Sequence, residues 1–163
     1  MTQPHSIPLI IGIGVEYRGD DAIGLVVARR LKEHFADSFT VLEKSGAGAA
    51  LMEAWRGVET VIIIDAVMSG AEPGTIHRLD AKTQPLPKGA FRCSTHAFGV
   101  AEAIELSRVM DEFPQSMMVI GIEGKNFAAG FGLSPEVEKA AYEAVRQVFA
   151  EAAQSSRIIA EIL

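Results

Sequence analysis

Two adjacent carboxylates, Asp20 and Asp21, stand where a turn marked by Gly12 and Gly14 passes from an apolar run into an amphipathic segment. A third acid, Asp65, closes the run VETVIIID, and His96 stands in the stretch CSTHA just ahead of another amphipathic segment. Taken singly, each has a plain reading. A carboxylate favours a helix N-terminus, an aspartate at a strand end caps the next segment of chain, and a histidine at a helix start bonds to nearby backbone. Taken together, Asp21, Asp65 and His96 form an oxygen-and-nitrogen donor set with open positions, of the kind that suits a divalent transition metal such as zinc or nickel.

The elements that must position these groups follow from the hydrophobic pattern. The aliphatic run over residues 7–13 reads as a fully buried first strand. A helix is expected from 21 to about 35, with Ile23, Val26, Val27, Leu31 and Phe35 on its apolar face. A short strand over 39–43, a short helix over 49–56 and a β-branched strand over 58–65 come next. Residues 75–79 alternate as an edge strand does, and the two prolines within 83–89 mark a loop. A helix over about 97–110, with Ser94 or Thr95 as its cap, presents Val100, Ala103, Ile104, Leu106 and Ser107 on one side. A buried strand over 117–123 precedes a glycine-rich loop over 124–132, and Ser134-Pro135-Glu136 opens a helix reaching about 153. The apolar tail over 157–163 reads as a helix end packed on the body.

This alternation specifies an α/β fold in three layers: a twisted, mostly parallel sheet flanked by helices on both faces. In such sheets ligands bind beyond the C-terminal ends of the strands. That rule gathers Asp20 and Asp21, Asp65 and His96 at one sheet edge.

Composition narrows the function classes. The 163 residues suit one domain spanning the chain, and 48% hydrophobic residues argue against disorder. A net charge of −6 without a basic block argues against nucleic acid as the partner. One cysteine, Cys93, makes no internal disulfide, so a reducing cytoplasm is the expected compartment. The start MTQPHSIPLIIGIG reads as neither a signal peptide nor a membrane span.

Two other chemistries compete. Cys93 and His96 are three apart, and Asp65 could orient the imidazole of a cysteine-protease pair. Alternatively, Gly12 and Gly14 match the first two glycines of a dinucleotide-binding GxGxxG, with Glu43 where a ribose-binding acid would sit. The third glycine position holds Tyr17, and the two acids after the turn would repel a pyrophosphate.

The ordered set GIGVEYRGDDAIG, VIIIDAVMSGAEPGTIHRL, STHAFGVAEAIEL, VIGIEG and GLSPEVEKA resembles the hydrogenase maturation proteases over residues 9–148. The resemblance implies a twisted sheet flanked by helices. It also implies an endopeptidase that removes the C-terminal extension of a nickel–iron hydrogenase large-subunit precursor once nickel has been inserted. By motif position the family's three metal-binding side chains fall on Asp21, Asp65 and His96. The nickel is then carried by the precursor, no organic cofactor is needed, and the protease acts as a monomer. Either the metal or one of the carboxylates Asp21 and Asp65 would activate water. The family's asparagine after GxG is Val15 here, the glycine after its acid pair is Ala22, and the second turn, EKSGAGAAL, matches poorly. These departures keep open a non-cutting metal- or nucleotide-binding module of Rossmann-like type.

Overall fold

The computed structural model describes residues 7–87, 89–91 and 97–156. Aliphatic runs become strands: β1 (Leu9–Ile13), β2 (Thr40–Lys44), β3 (Thr60–Val67), β4 (Ile76–Asp80) and β5 (Ser116–Glu123). Between and after them lie α1 (Ile23–Phe35), α2 (Gly48–Trp55), α3 (Val100–Val109) and α4 (Pro135–Ser156), with a 3-10 turn at Gly19–Ala22. The sheet order is β2-β1-β3-β5-β4, parallel except for the antiparallel pairing of β4 with β5.

Successive residues of the central strands feed opposite cores, which is why their sequences are apolar without alternation. Ile11, Ile63 and Val119 pack with Leu51 and Trp55 of α2 and Ala103 and Ile104 of α3. Ile10, Ile62, Ile64 and Ile120 pack with Val27 and Leu31 of α1 and Val137, Ala141 and Val148 of α4. The three-layer α/β expectation therefore holds. None of the described helices is long and apolar enough to cross a membrane.

The boundaries differ where tertiary pairing decides them. β1 begins at Leu9, and Ile7 is exposed. β3 runs two residues past Asp65, because Ala66 and Val67 pair with Ile122 and Glu123. Asp65 is thus inside its strand rather than at its end. Asp21 lies in the 3-10 turn, and α1 starts two residues later. In α1 the buried face takes Leu25, and Val26 is only half-buried. In α3 Leu106 faces solvent, whereas Ser107 is buried and accepts a 3.1 Å hydrogen bond from the Trp55 indole N–H. The N-cap of α3 is Gly99, whose N–H donates to the Glu102 carboxylate, and the expected caps Ser94 and Thr95 lie outside the described residues. So does the tail over 157–163.

Candidate functional site

β1 and β3 are adjacent, yet the chain leaves them in opposite directions: from β1 towards β2 at one edge, from β3 towards β4 at the other. Such a divergence leaves a crevice beyond the strand ends. Asp21 follows β1, and Asp65 is on β3 close to its end.

Close packing sets the first of these elements. A Cβ on Gly12 would lie 2.3 Å from the Gly24 carbonyl oxygen and 2.5 Å from the Ala28 Cβ. Glycine therefore lets α1 lie directly against β1, and the 3-10 turn carries Asp20 and Asp21 to the sheet edge. Both acids are buried, with opposite consequences.

Asp20 is a structural clamp. Its Oδ1 accepts from the Ser134 N–H at 2.7 Å, and its Oδ2 accepts from the N–H groups of Lys125 and Asn126 and from the Ser134 hydroxyl, each at 2.8 Å. Burial pushes its carboxyl up, but these bonds together hold it below the usual carboxylate range. The expected helix-capping role for Asp20 is not what its side chain does; no side-chain cap bond forms at the 3-10 turn. Its partners lie in the loop before α4, which it ties to the loop after β1.

Asp21 and Asp65 have fewer described partners. The Asp21 Oδ2 accepts from the Val15 N–H at 3.0 Å, and the Asp65 Oδ1 accepts from the Ala66 N–H at 2.8 Å. The second oxygen of each carboxylate makes none of the described bonds. Burial pushes the Asp21 carboxyl up, against the opposing charge of Arg18 and the Val15 bond. Burial pushes Asp65 up much further, and the negative charge of Asp21 adds to it. Two desolvated carboxyls that oppose each other's ionisation are relieved by a proton or by a cation. Their donor chemistry fits a divalent metal ion.

Among the described residues, no group of three or more His, Cys, Asp or Glu side chains forms a metal cluster. Two of the three expected ligands, Asp21 and Asp65, lie near enough that the charge of Asp21 raises the proton affinity of Asp65. His96 and Cys93 both lie outside the described residues, and with them the cysteine-protease pair.

The dinucleotide reading meets an occupied turn. The Gly14 N–H donates to Lys44 O at 3.1 Å, and the Val15 N–H is held by Asp21. Glu43, the candidate ribose acid, is paired with Arg29 at 2.8 Å, and Arg29 also binds Glu16 at 2.6 Å. The glycines here serve helix packing, and the donors a pyrophosphate would need are engaged.

One buried carboxylate at this edge is absent from the sequence-based set. Glu123 ends β5, accepts from Ser69 N–H at 2.8 Å, Ser69 hydroxyl at 2.7 Å and Gly70 N–H at 3.0 Å, and pairs with His77 Nε2 at 3.2 Å. Burial raises its proton affinity, but the Ser69, His77 and Gly70 bonds hold the carboxyl below its usual range. It fixes the turn after β3. An acid closing an otherwise apolar strand is the signal that could have found it.

Comparison with known proteins matches this architecture. The family model described as hydrogenase maturation protease matches residues 25–151. The chain is 28% identical over 150 residues to the hydrogenase 2 maturation protease of Escherichia coli, covering 90% of this chain and 91% of that protein. It is 31% identical over 149 residues to a putative hydrogenase maturation protease of Methanocaldococcus jannaschii, covering 88% and 94%. Among solved structures, the hydrogenase maturating endopeptidase HybD of E. coli superposes with a TM-score of 0.76 at 27% identity, over 91% of this chain and 93% of that one.

Proposed function

The chain belongs to the hydrogenase maturation protease family, and from that premise we propose that it is an endopeptidase that removes the C-terminal extension of a nickel–iron hydrogenase large-subunit precursor after nickel insertion. The observation that carries this reading is the buried Asp21–Asp65 pair beside the crevice between β1 and β3. Nickel belongs to the substrate here. Asp21, Asp65 and His96 are the residues that would complete its coordination and so dock the precursor. Held in this way, a divalent metal would polarise a peptide carbonyl or lower the pKa of a bound water.

The chain's own groups have defined tasks in this reading. The Ala66 and Val15 N–H bonds orient the two carboxylates. The raised proton affinity of Asp65 suits a group that, once ionised, takes a proton from the attacking water. In this reading the protein acts as a monomer, and its single cysteine suits a reducing cytoplasm.

The test is the intact mass of several large-subunit precursors, with and without nickel, after incubation with the protein. A mass loss confined to the nickel-loaded precursor is expected. No loss in any precursor, with folded protein, would favour a binding module that does not cut.

A further inference from the structure

Two loops meet beside the candidate site and present aromatic rings to solvent. Tyr17 lies in the loop after β1, four residues before Asp21, and Phe131 lies in the loop after β5. Their ring centroids are 4.6 Å apart at an interplanar angle of 75°, an edge-to-face contact. The residues nevertheless remain 59% and 75% exposed. Neither ring is needed to fill the core. That task falls to Phe127, which packs against the α1–α4 core and within contact of Gly124.

The backbone beneath the rings is tightly held. Gly19 N–H donates to Gly130 O at 3.0 Å, Gly130 N–H to Tyr17 O at 2.8 Å, and Asp20 N–H to Asn126 O at 2.8 Å. The Asp20 carboxylate adds its bonds to Lys125, Asn126 and Ser134. Phe131 sits between Gly130 at φ +148° and Gly132 at φ +92°, conformations that L side chains rarely adopt. A buried, fully bonded carboxylate and the backbone bonds at Gly19 and Gly130 thus hold a loop whose tip is an exposed phenylalanine. Aromatic side chains on rigid loops lose little freedom on binding, and such residues dominate protein-binding hot spots.

The ion pairs made from the two loops bear on the occupant. Glu16 and Glu43 are both paired with Arg29, and Lys125 is paired with Glu136 at 2.8 Å. These charged groups are engaged with one another, whereas the two rings offer exposed apolar faces, so an apolar side chain is the occupant they favour.

We propose that Tyr17 and Phe131 form a docking ledge for an aliphatic or aromatic side chain of the precursor polypeptide, next to the segment engaged at Asp21 and Asp65. This rests on the endopeptidase reading above and adds how the protein partner is gripped. Tyr17 and Asp21 lie on one segment after β1, and the Phe131 loop is hydrogen-bonded to that segment, so a precursor held at Asp21 lies next to the rings.

The experiment uses nickel-loaded precursor and measures cleavage kinetics and melting temperature for four proteins. These are the wild type, the double variant Tyr17→Ser/Phe131→Ser, the conservative double variant Tyr17→Phe/Phe131→Tyr, and Tyr142→Ser. Tyr142 is an exposed ring on α4, beneath Arg30. For the serine pair KM rises at least about tenfold, with a smaller fall in kcat and an unchanged melting temperature. The conservative pair restores KM, and Tyr142→Ser leaves it as in the wild type. A smaller rise in KM, or a melting temperature that falls with it, overturns the ledge while cleavage by the wild type still upholds the endopeptidase. A wild type that neither binds nor cuts any precursor removes both.

Discussion

The negative charge of Asp21 raises the proton affinity of Asp65, on top of the larger effect of the burial of Asp65 itself. The folded chain therefore holds a proton that the unfolded chain releases near pH 4. Stability from this source is whole below the unfolded pKa and is lost as pH rises through the raised folded value. Asp65→Asn keeps the shape and removes the titration. Its melting temperature, relative to the wild type, should climb as pH rises from the unfolded value near 4 towards the raised folded value. In the same variant cleavage should fall by at least about 100-fold. A flat difference across pH would mean that Asp65 ionises as a solvated acid does.

Asp20 behaves with the opposite sign. Its lowered folded pKa contributes stability above about pH 4 that disappears as pH falls through the folded value. Asp20→Ala strands the buried donors of Lys125, Asn126 and Ser134, at a cost of about 3 kcal/mol or more near neutral pH. Urea denaturation at pH 7 and at pH 3 should show the gap to the wild type narrowing in acid. Equal gaps at both would count against a charged clamp.

The different fates of these neighbours show where the sequence was readable. Ile10-Ile11 and the aliphatic residues 61–64 and 117–120 marked central strands because each is covered on both sides. The role of Asp20 was hidden because its partners Lys125 and Ser134 are 105 and 114 positions away. Asp65 looked like a strand end because the pairing of Val67 with Glu123 belongs to β5, not to the local sequence. The outward turn of Leu106 follows from its place on α3, not from its residue type. Asp21 and Asp65 could be selected beforehand since each stands at the carboxyl side of a recognisable strand.

Gly12→Ala should be severely destabilising, by about 2–3 kcal/mol or more, because the new methyl would meet the Gly24 carbonyl of the packed helix. Thermal melts in the presence of millimolar NAD or ATP should show no stabilisation. A nucleotide at a hundred times its dissociation constant would add about 2.7 kcal/mol, so a clear upward shift would restore the nucleotide-binding alternative.

His96→Ala and Cys93→Ser separate the metal reading from a thiol nucleophile. The histidine variant should leave the precursor uncut with little change in melting temperature, whereas the serine variant should cut as the wild type does. A folded but inactive Cys93→Ser protein would move the chemistry to the cysteine.

The opening between β1 and β3 arises from the route of the chain, not from the particular side chains that line it. Replacing Asp21 and Asp65 would therefore leave the strand order, and with it the place where β1 and β3 part, unchanged. Other side chains placed at positions 21 and 65 would stand after β1 and near the end of β3 on the same framework. The connectivity, rather than the two residues, sets where the strands part.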